Sequence, residues 1–402
     1  MAGAARPGPG AASGRRSPWS LNNPRVRAAV YQAVLVAAVV LGVWYLAANT
    51  AHNLEVRKIA SGFGFLDREA GFEIGESPFT EYSAADTYRK AFVVGLLNTF
   101  RVALIGVVLA TLIGTLVGLA RLSHNWLIAK FASGYIELIR NIPLLVQLFF
   151  WYAIISENLP GPREAANPLA GVYLSNRGIA FPVPESHPVH LWLGVALLAG
   201  IALTWLLARW ARARQARTGQ PFPIFSAGAA LILGLPLAVF IAAGAPTALN
   251  TPRLTGFNFT GGGVLTPEFA ALLAGLTLYT AAFIAEIVRA GVLAVDRGQF
   301  EAAAALGLRP RRAMHLVILP QALRVIVPPL TSQYLNLTKN SSLAVAIGYP
   351  DLVSIANTAM NQTGQAIEGI AVIMAVYLSI SLSISAFMNW YNKRIALKGA
   401  RR

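Results

Sequence analysis

The sequence predicts an all-α polytopic membrane protein of about eight transmembrane helices, with both termini in the cytoplasm. Three observations predict it. Only 12% of the 402 residues are charged while 55% are hydrophobic, and the mean hydropathy is +0.55. A water-soluble domain has about a quarter of its residues charged. Apolar runs of spanning length recur along the chain, and basic residues are shared unequally between alternate loops.

A helix needs about 20 largely apolar residues to cross the hydrocarbon core. Eight stretches qualify: 28–48, 92–120, 131–156, 191–208, 224–243, 269–288, 325–348 and 367–390. Helices are expected because lipid leaves no backbone group unpaired, and the alternating segments of a barrel are missing. Segments 1–27, 121–130, 209–222, 289–324 and 389–402 carry 22 lysines and arginines against 2 acidic residues. Segments 49–91, 157–190, 245–268 and 348–366 carry 8 against 12. The first set is therefore cytoplasmic. The net charge of +16 then needs no nucleic-acid partner, because most of the surplus faces the cytoplasm and anionic lipid.

The pieces follow in order. Residues 1–27, rich in Gly, Pro, Ala, Ser and Arg, read as a disordered cytoplasmic tail. The run 28–48 is too long for a signal-peptide core and reads as an extra N-terminal anchor, with "LAANTA" offering the alternative of cleavage. Residues 49–91 form an outer, periplasmic loop of mixed charge. Residues 157–266 read as an insertion holding two spans joined by the basic turn "ARWARARQARTGQ". Residues 391–402 are a basic cytoplasmic tail. Cysteine is absent, which excludes disulfides, thiolate metal sites and cysteine nucleophiles.

Between spans six and seven, on the cytoplasmic side, lies "EAAAALGLRPRRAMHLVILPQ". Glu301 to Leu306 is strongly helix-forming, Gly307 permits a turn, and Pro310 suits the first turn of a second helix. The segment reads as helix, turn, helix at the membrane face. A docking surface and an interfacial helix are equally compatible with that pattern.

These residues resemble the EAA loop of the permease subunits of binding-protein-dependent ABC importers. That pattern is Glu-Ala-Ala, three residues, Gly, nine residues, Ile, one residue, Leu-Pro. Glu301, Ala302, Ala303, Gly307, Leu319 and Pro320 match it, and Val317 replaces the Ile. "GLLNTFRVALIG", "YIELIRNIPLLVQLFFWY" and "YTAAFIAEIVRAGVLAVDRGQFEAA" are similar to the polar-amino-acid branch, and the layout resembles the general L-amino-acid permeases.

The resemblance implies a type I permease domain over 92–390 with a five-helix core and a coupling loop at 296–320. It implies an inner-membrane subunit that passes amino acids inward by alternating access. The implied partners are a second homologous permease, two cytoplasmic ATPases and a periplasmic amino-acid-binding protein. No cofactor is expected on this chain, and ATP and Mg would be used by the ATPase. The sequence agrees that the ATPase is separate: no G-x-x-x-x-G-K-[ST] occurs. Glu301 would pair with a basic residue of the ATPase, or alternatively favour the positive end of its own helix dipole.

Within span seven, "TSQYLNLTKNSSLAVAIG" is too polar for lipid. Asn336, Lys339 and Asn340 are substrate-pathway candidates, in a tract open to local unwinding, and their Ser and Thr neighbours read as interhelical glue. Tyr279 and Glu286 of span six are further pathway candidates, Glu286 as an ionisable residue within a span whose alternative role is structural pairing. Glu137 with Arg140, and Glu286 with Arg289, have the spacing of helical ion pairs. No metal site is expected, the "HPVH" of residues 187–190 lacking a third ligand. The rival readings are an ion-coupled secondary transporter using Glu137 or Glu286, a non-transporting scaffold, and an importer of another small solute.

Overall fold

The computed structural model describes residues 24–56 and 61–395. The tail expectations for 1–23 and 396–402 lie outside the described residues. The helices in chain order are α1 Pro24–Val56, α2 Tyr88–Arg121, α3 Trp126–Asn141, α4 Leu144–Asn158, α5 Val189–Thr218 and α6 Ile224–Ala242. They continue as α7 Pro267–Leu293, α8 Arg297–Ala305, α9 Pro310–Ala313, α10 Leu319–Asn340, α11 Leu352–Thr363 and α12 Ala366–Ile395. Short strands lie in the insertion: β1 Ala166–Leu169, β2 Val172–Ser175, β3 Gly178–Phe181, β4 Val183–Pro184, β5 Leu249–Asn250, β6 Arg253–Thr255, β7 Asn258–Thr260 and β8 Gly263–Leu265. The mostly helical membrane fold agrees with the sequence, and seven single helices are long and apolar enough to span, or eight with one bent pair.

That bent pair corrects the third predicted span. Residues 131–156 are not one helix: α3 and α4 meet at 106°. Pro143 has no amide to donate, and it holds Ile142 extended at φ −97° and ψ 127°. The Gln147 amide then bridges the break, donating to the carbonyls of Ile139 at 2.8 Å and Ile142 at 2.9 Å.

Other differences are smaller. The first span begins at Pro24 and runs to Val56, exposed along its apolar length. The basic stretch read as a turn is helical to Thr218, and Gly219 ends it in the left-handed region at φ 71°. Span seven is not unwound at its polar tract. It stays α-helical to Asn340 and then tightens into a 3₁₀ turn, Ser341–Ile347. The loop read at 348–366 contains α11, which Asp351 caps by accepting from the Ser354 amide at 2.8 Å.

The outer insertion adds β structure that the all-α expectation omitted. β1, β2, β3 and β8 form an antiparallel sheet in that order. These segments lie outside the bilayer, and β-branched and aromatic residues such as Val172, Tyr173, Ile179 and Phe181 favour strands there. Between β2 and β3 the turn ends on Gly178 at φ 101°.

The core is organised on α2 and α7. Gly114 and Gly118 of α2 face Ala281, Ile284 and Ala285 of α7, all three fully buried. A Cβ added at Gly118 would lie 2.6 Å from the Ala285 carbonyl oxygen, and one at Gly114 would lie 2.7 Å from Ile284 Cβ. Small residues bring the two backbones together, which is how membrane helices gain dispersion contacts without a hydrophobic driving force. Around this pair pack α4, α10 and α11.

The seam makes a stability prediction. Gly118→Leu is expected to destabilise the detergent-solubilised protein by about 1–3 kcal/mol, the cost of overpacking. Gly42→Leu is the control, since nothing lies within 4 Å of its added Cβ. Thermal melts that coincide for the two variants would contradict the close approach.

Candidate functional site

The helix–turn–helix segment before α10 is built from its caps inward. Asp296 precedes α8, and its Oδ1 accepts from the Gly298 amide at 2.6 Å. The helix therefore starts at Arg297, earlier than the sequence suggests. Glu301 lies on the second turn, where the dipole field has decayed. Asp296 fills the dipole role instead, and the exposed Glu301 carboxylate has no ion pair among the described residues.

At the other end, Gly307 adopts φ 70°, the left-handed conformation that a β-branched residue resists. Its amide reaches the Ala304 carbonyl at 2.9 Å and the Leu308 amide reaches that of Ala303 at 3.1 Å. This paired pattern closes α8. Pro310 starts α9, a π-helical turn covers Met314–Ile318, and α10 follows without interruption.

The matched residues divide by burial. Ala303 is buried, and with the neighbouring Ile318, also buried, it seats the segment on the bundle. Glu301, Ala302, Gly307 and Pro320 are exposed, and Leu319 is half-buried. Leu306, Met314 and Leu316 are also exposed, next to Arg309, Arg311 and Arg312. The result is an apolar patch with a basic margin on the cytoplasmic face.

Along α10, Ser332, Asn336 and Lys339 are exposed at spacings of four and three, so they share one face. The side chains of Asn336, Lys339 and Asn340 make no hydrogen bond or ion pair among the described residues. The opposite face is seated on the bundle: Leu337 and Thr338 are buried, and the Tyr334 hydroxyl meets Thr111 Oγ1 of α2 at 2.9 Å. Ser341 and Ser342 bond back to the carbonyls of Thr338 and Lys339, each at 2.7 Å.

The remaining candidates fall elsewhere. Glu286 of α7 binds Arg121 of α2 and, as its spacing predicts, Arg289. This places it at the cytoplasmic end of the bundle, apart from the polar face of α10. Tyr279 is half-buried, its ring 5.0 Å from that of Phe283. The expected Glu137–Arg140 pair does not form: both are exposed, and the Arg140 guanidinium lies over the Phe283 ring at 5.0 Å. His187 Nδ1 accepts from the Val189 amide at 3.1 Å, as part of the turn into α5.

Sequence reasoning passed over a polar cluster at the outer end. Glu76, from the long loop before α2, is buried and paired with Arg101. Its second oxygen accepts from Thr266 Oγ1 at 2.6 Å. Arg101 also lies over the Phe269 ring at 3.9 Å, and Asn98 donates to the carbonyls of Glu76 at 2.8 Å and Pro350 at 3.0 Å. Only Arg101, a cation within an apolar run, signalled this in the sequence. Nearby, burial pushes the Asp351 carboxyl up from 3.8 to about 7, partly offset by the Ser354 and Val353 amides.

The family of binding-protein-dependent transport system inner membrane components matches residues 106–397. The chain belongs to this family. It is accordingly a multi-pass transport permease of the inner membrane. It is 51% identical to the general L-amino acid transport system permease protein AapQ of Rhizobium johnstonii, over 94% of this chain and 96% of the relative. The permease protein YhdX of Escherichia coli is 52% identical over the same shares of each chain, 94% and 96%. The glutamate/glutamine/aspartate/asparagine transport system permease protein BztB of Rhodobacter capsulatus is 42% identical, over 96% and 97%.

Asp351 gives the permease a pH dependence. Its folded-state value lies above its unfolded one, so below about pH 4 both states hold the proton. Between about pH 4 and 7 only the folded state does, and rising pH removes stability across that window. The melting temperature of the parent protein minus that of Asp351→Asn is expected to fall between about pH 4.5 and 7.5. A difference that stays level across that range would rule the effect out.

Proposed function

We propose that this chain is the permease subunit of an ATP-driven importer of general L-amino acids, coupled to a separate ATPase through Glu301, Ala302, Ala303, Gly307, Leu319 and Pro320. The observation that carries the reading is continuity: α8, the Gly307 turn, α9 and the π turn lead straight into α10, whose exposed face holds Asn336 and Lys339. The amino-acid cargo is supported by AapQ and BztB, whose names specify it.

On this reading a cytoplasmic ATPase, using ATP and Mg, receives α8 in a groove. The exposed Leu306 and Leu316 supply contact area, and Glu301 offers an unpaired charge to a basic residue of that subunit. When the ATPases close, α8 is displaced. The turn at Gly307, closed by the Gly307 and Leu308 amides on the Ala304 and Ala303 carbonyls, passes the motion to α10 as a rigid-body tilt. The polar face of α10 lines the path against a second, homologous permease, and a periplasmic binding protein delivers the amino acid from outside. Transport requires that the cargo meet the two states with different affinity. Glu286 fits poorly as an ion-coupling carboxylate, because two arginines already hold it at the cytoplasmic end.

Two variants test the proposal in vesicles holding the whole importer. Gly307→Val is expected to cut ATP-driven uptake about tenfold, equal to about 1.4 kcal/mol in the coupled step. Membrane insertion and ATP hydrolysis should continue, and normal uptake by this variant would refute the lever. Lys339→Ala is expected to reduce uptake of L-amino acids while the complex stays assembled, as read by co-purification. Loss of the protein from the membrane would instead assign Lys339 to helix packing. Uptake that persists without ATP and stops when the proton gradient collapses would favour a secondary transporter.

A further inference from the structure

The insertion and the core together enclose a cavity of about 970 Å³ on the outer side. Its core wall is the buried Glu76–Arg101 pair with Thr266, joined by Tyr152 and Ser156 of α4. The facing wall comes from the insertion, with the β2–β3 turn at Asn176 and Arg177 and the strand β8. β8 runs directly into Pro267 at the start of α7, so the sheet is fixed to the helix at the centre of the bundle.

The charges in this space are unequal in status. Arg101 and Glu76 neutralise each other. Arg177 and Glu268 also line the cavity, and neither has an ion pair among the described residues. Glu268 is bonded on one oxygen only, accepting from the Tyr152 hydroxyl at 3.2 Å. One free guanidinium and one half-satisfied carboxylate therefore face a common volume. That volume is at the upper end of small-molecule sites and too large to grip one side chain closely. A mixed-charge recess with low-dielectric walls concentrates ions without demanding a fixed fit.

We infer that the 157–266 insertion builds an outer vestibule that receives α-amino acids, Arg177 attracting the carboxylate and Glu268 the ammonium. The inference rests on the amino-acid importer reading and adds to it a receiving site outside the membrane span. A wide, charge-sorting antechamber suits cargo whose side chains vary while the two ionic groups remain constant. An additional side-chain carboxylate should gain from Arg177, and an additional side-chain cation should lose.

The test measures initial uptake of L-glutamate and of L-arginine by the complete importer, with saturating binding protein. Arg177→Glu is expected to lower the glutamate-to-arginine uptake ratio by about three- to tenfold, the scale of one charge in a partly solvated site. Glu268→Gln is expected to raise that ratio, and Arg177→Lys to restore the parent value. Membrane abundance and stimulation of ATP hydrolysis by the binding protein should remain at parent levels. If Arg177→Glu depresses both uptakes equally, Arg177 serves docking or folding and the vestibule is refuted. An unchanged ratio refutes it too. If the unsubstituted importer takes up neither amino acid, the underlying functional reading fails first.

Discussion

The close approach of α2 and α7 is the constraint on which the rest of the molecule depends. Gly114 and Gly118 let the backbones meet where Ala281, Ile284 and Ala285 present small or branched surfaces. No difference in water affinity drives such packing inside lipid, so the contact depends on shape alone. Ion pairs then close the seam at both ends. Arg121 of α2 meets Glu286 of α7 on the cytoplasmic side. On the outer side Arg101 of α2 meets Glu76, which accepts from Thr266, the cap of α7. Glu76 is buried, so parting it from Arg101 would be costly, while the partly exposed Arg121–Glu286 pair adds register at the cytoplasmic end with little net stability.

What packs on the seam, and what does not, separates the central helices from the peripheral ones. The break between α3 and α4 is stitched by Gln147, and α4 seats Leu148 against Gly275 of α7. α11 reaches the seam through Thr99, whose hydroxyl accepts from the Leu352 amide at 3.1 Å. The α5–α6 hairpin closes mainly on itself, through Gly200 beside Leu231 and Gly228 beside Thr204. α10 is intermediate. One face is held by Tyr334 and Leu337, and the other presents Asn336 and Lys339 with no partner among the described residues.

The sequence made the spans legible because span length and hydropathy are local properties, set residue by residue. The loop charges made orientation legible for the same reason. The helix–turn–helix before α10 was legible in part: helix propensity marked 301–306, but the start at Arg297 depended on Asp296 acting as a cap. The break at Pro143 could have been read from "RNIPLL", yet the apolar run across it masked the signal. Glu76 could not be read at all. Its significance comes from Arg101 and Thr266, 25 and 190 residues away along the chain. The sheet was hidden similarly, since β8 pairs with β3 across two membrane helices.

The unpartnered face of α10 carries the argument one step further. An ammonium and an amide turned toward hydrocarbon would each cost several kcal/mol or force the bilayer to deform. The helix does not discharge that cost by unwinding, because it keeps α-helical geometry to Asn340. Nor do the described neighbours in the chain supply partners. On the proposed reading, relief comes from outside the chain, from water in a pathway and from the matching face of a second permease. The polar stripe is then tolerable only in the assembled pore, and an isolated copy of this chain is an incomplete object in the membrane. α10 follows the α9 and π turns without a break in helical path. On that reading a displacement at Gly307 would reach the stripe along one element, with Pro328 and Pro329 as its points of missing backbone hydrogen bonds. The conformational change would then need no separate transmission pathway, because lever and lining would be two ends of a single element.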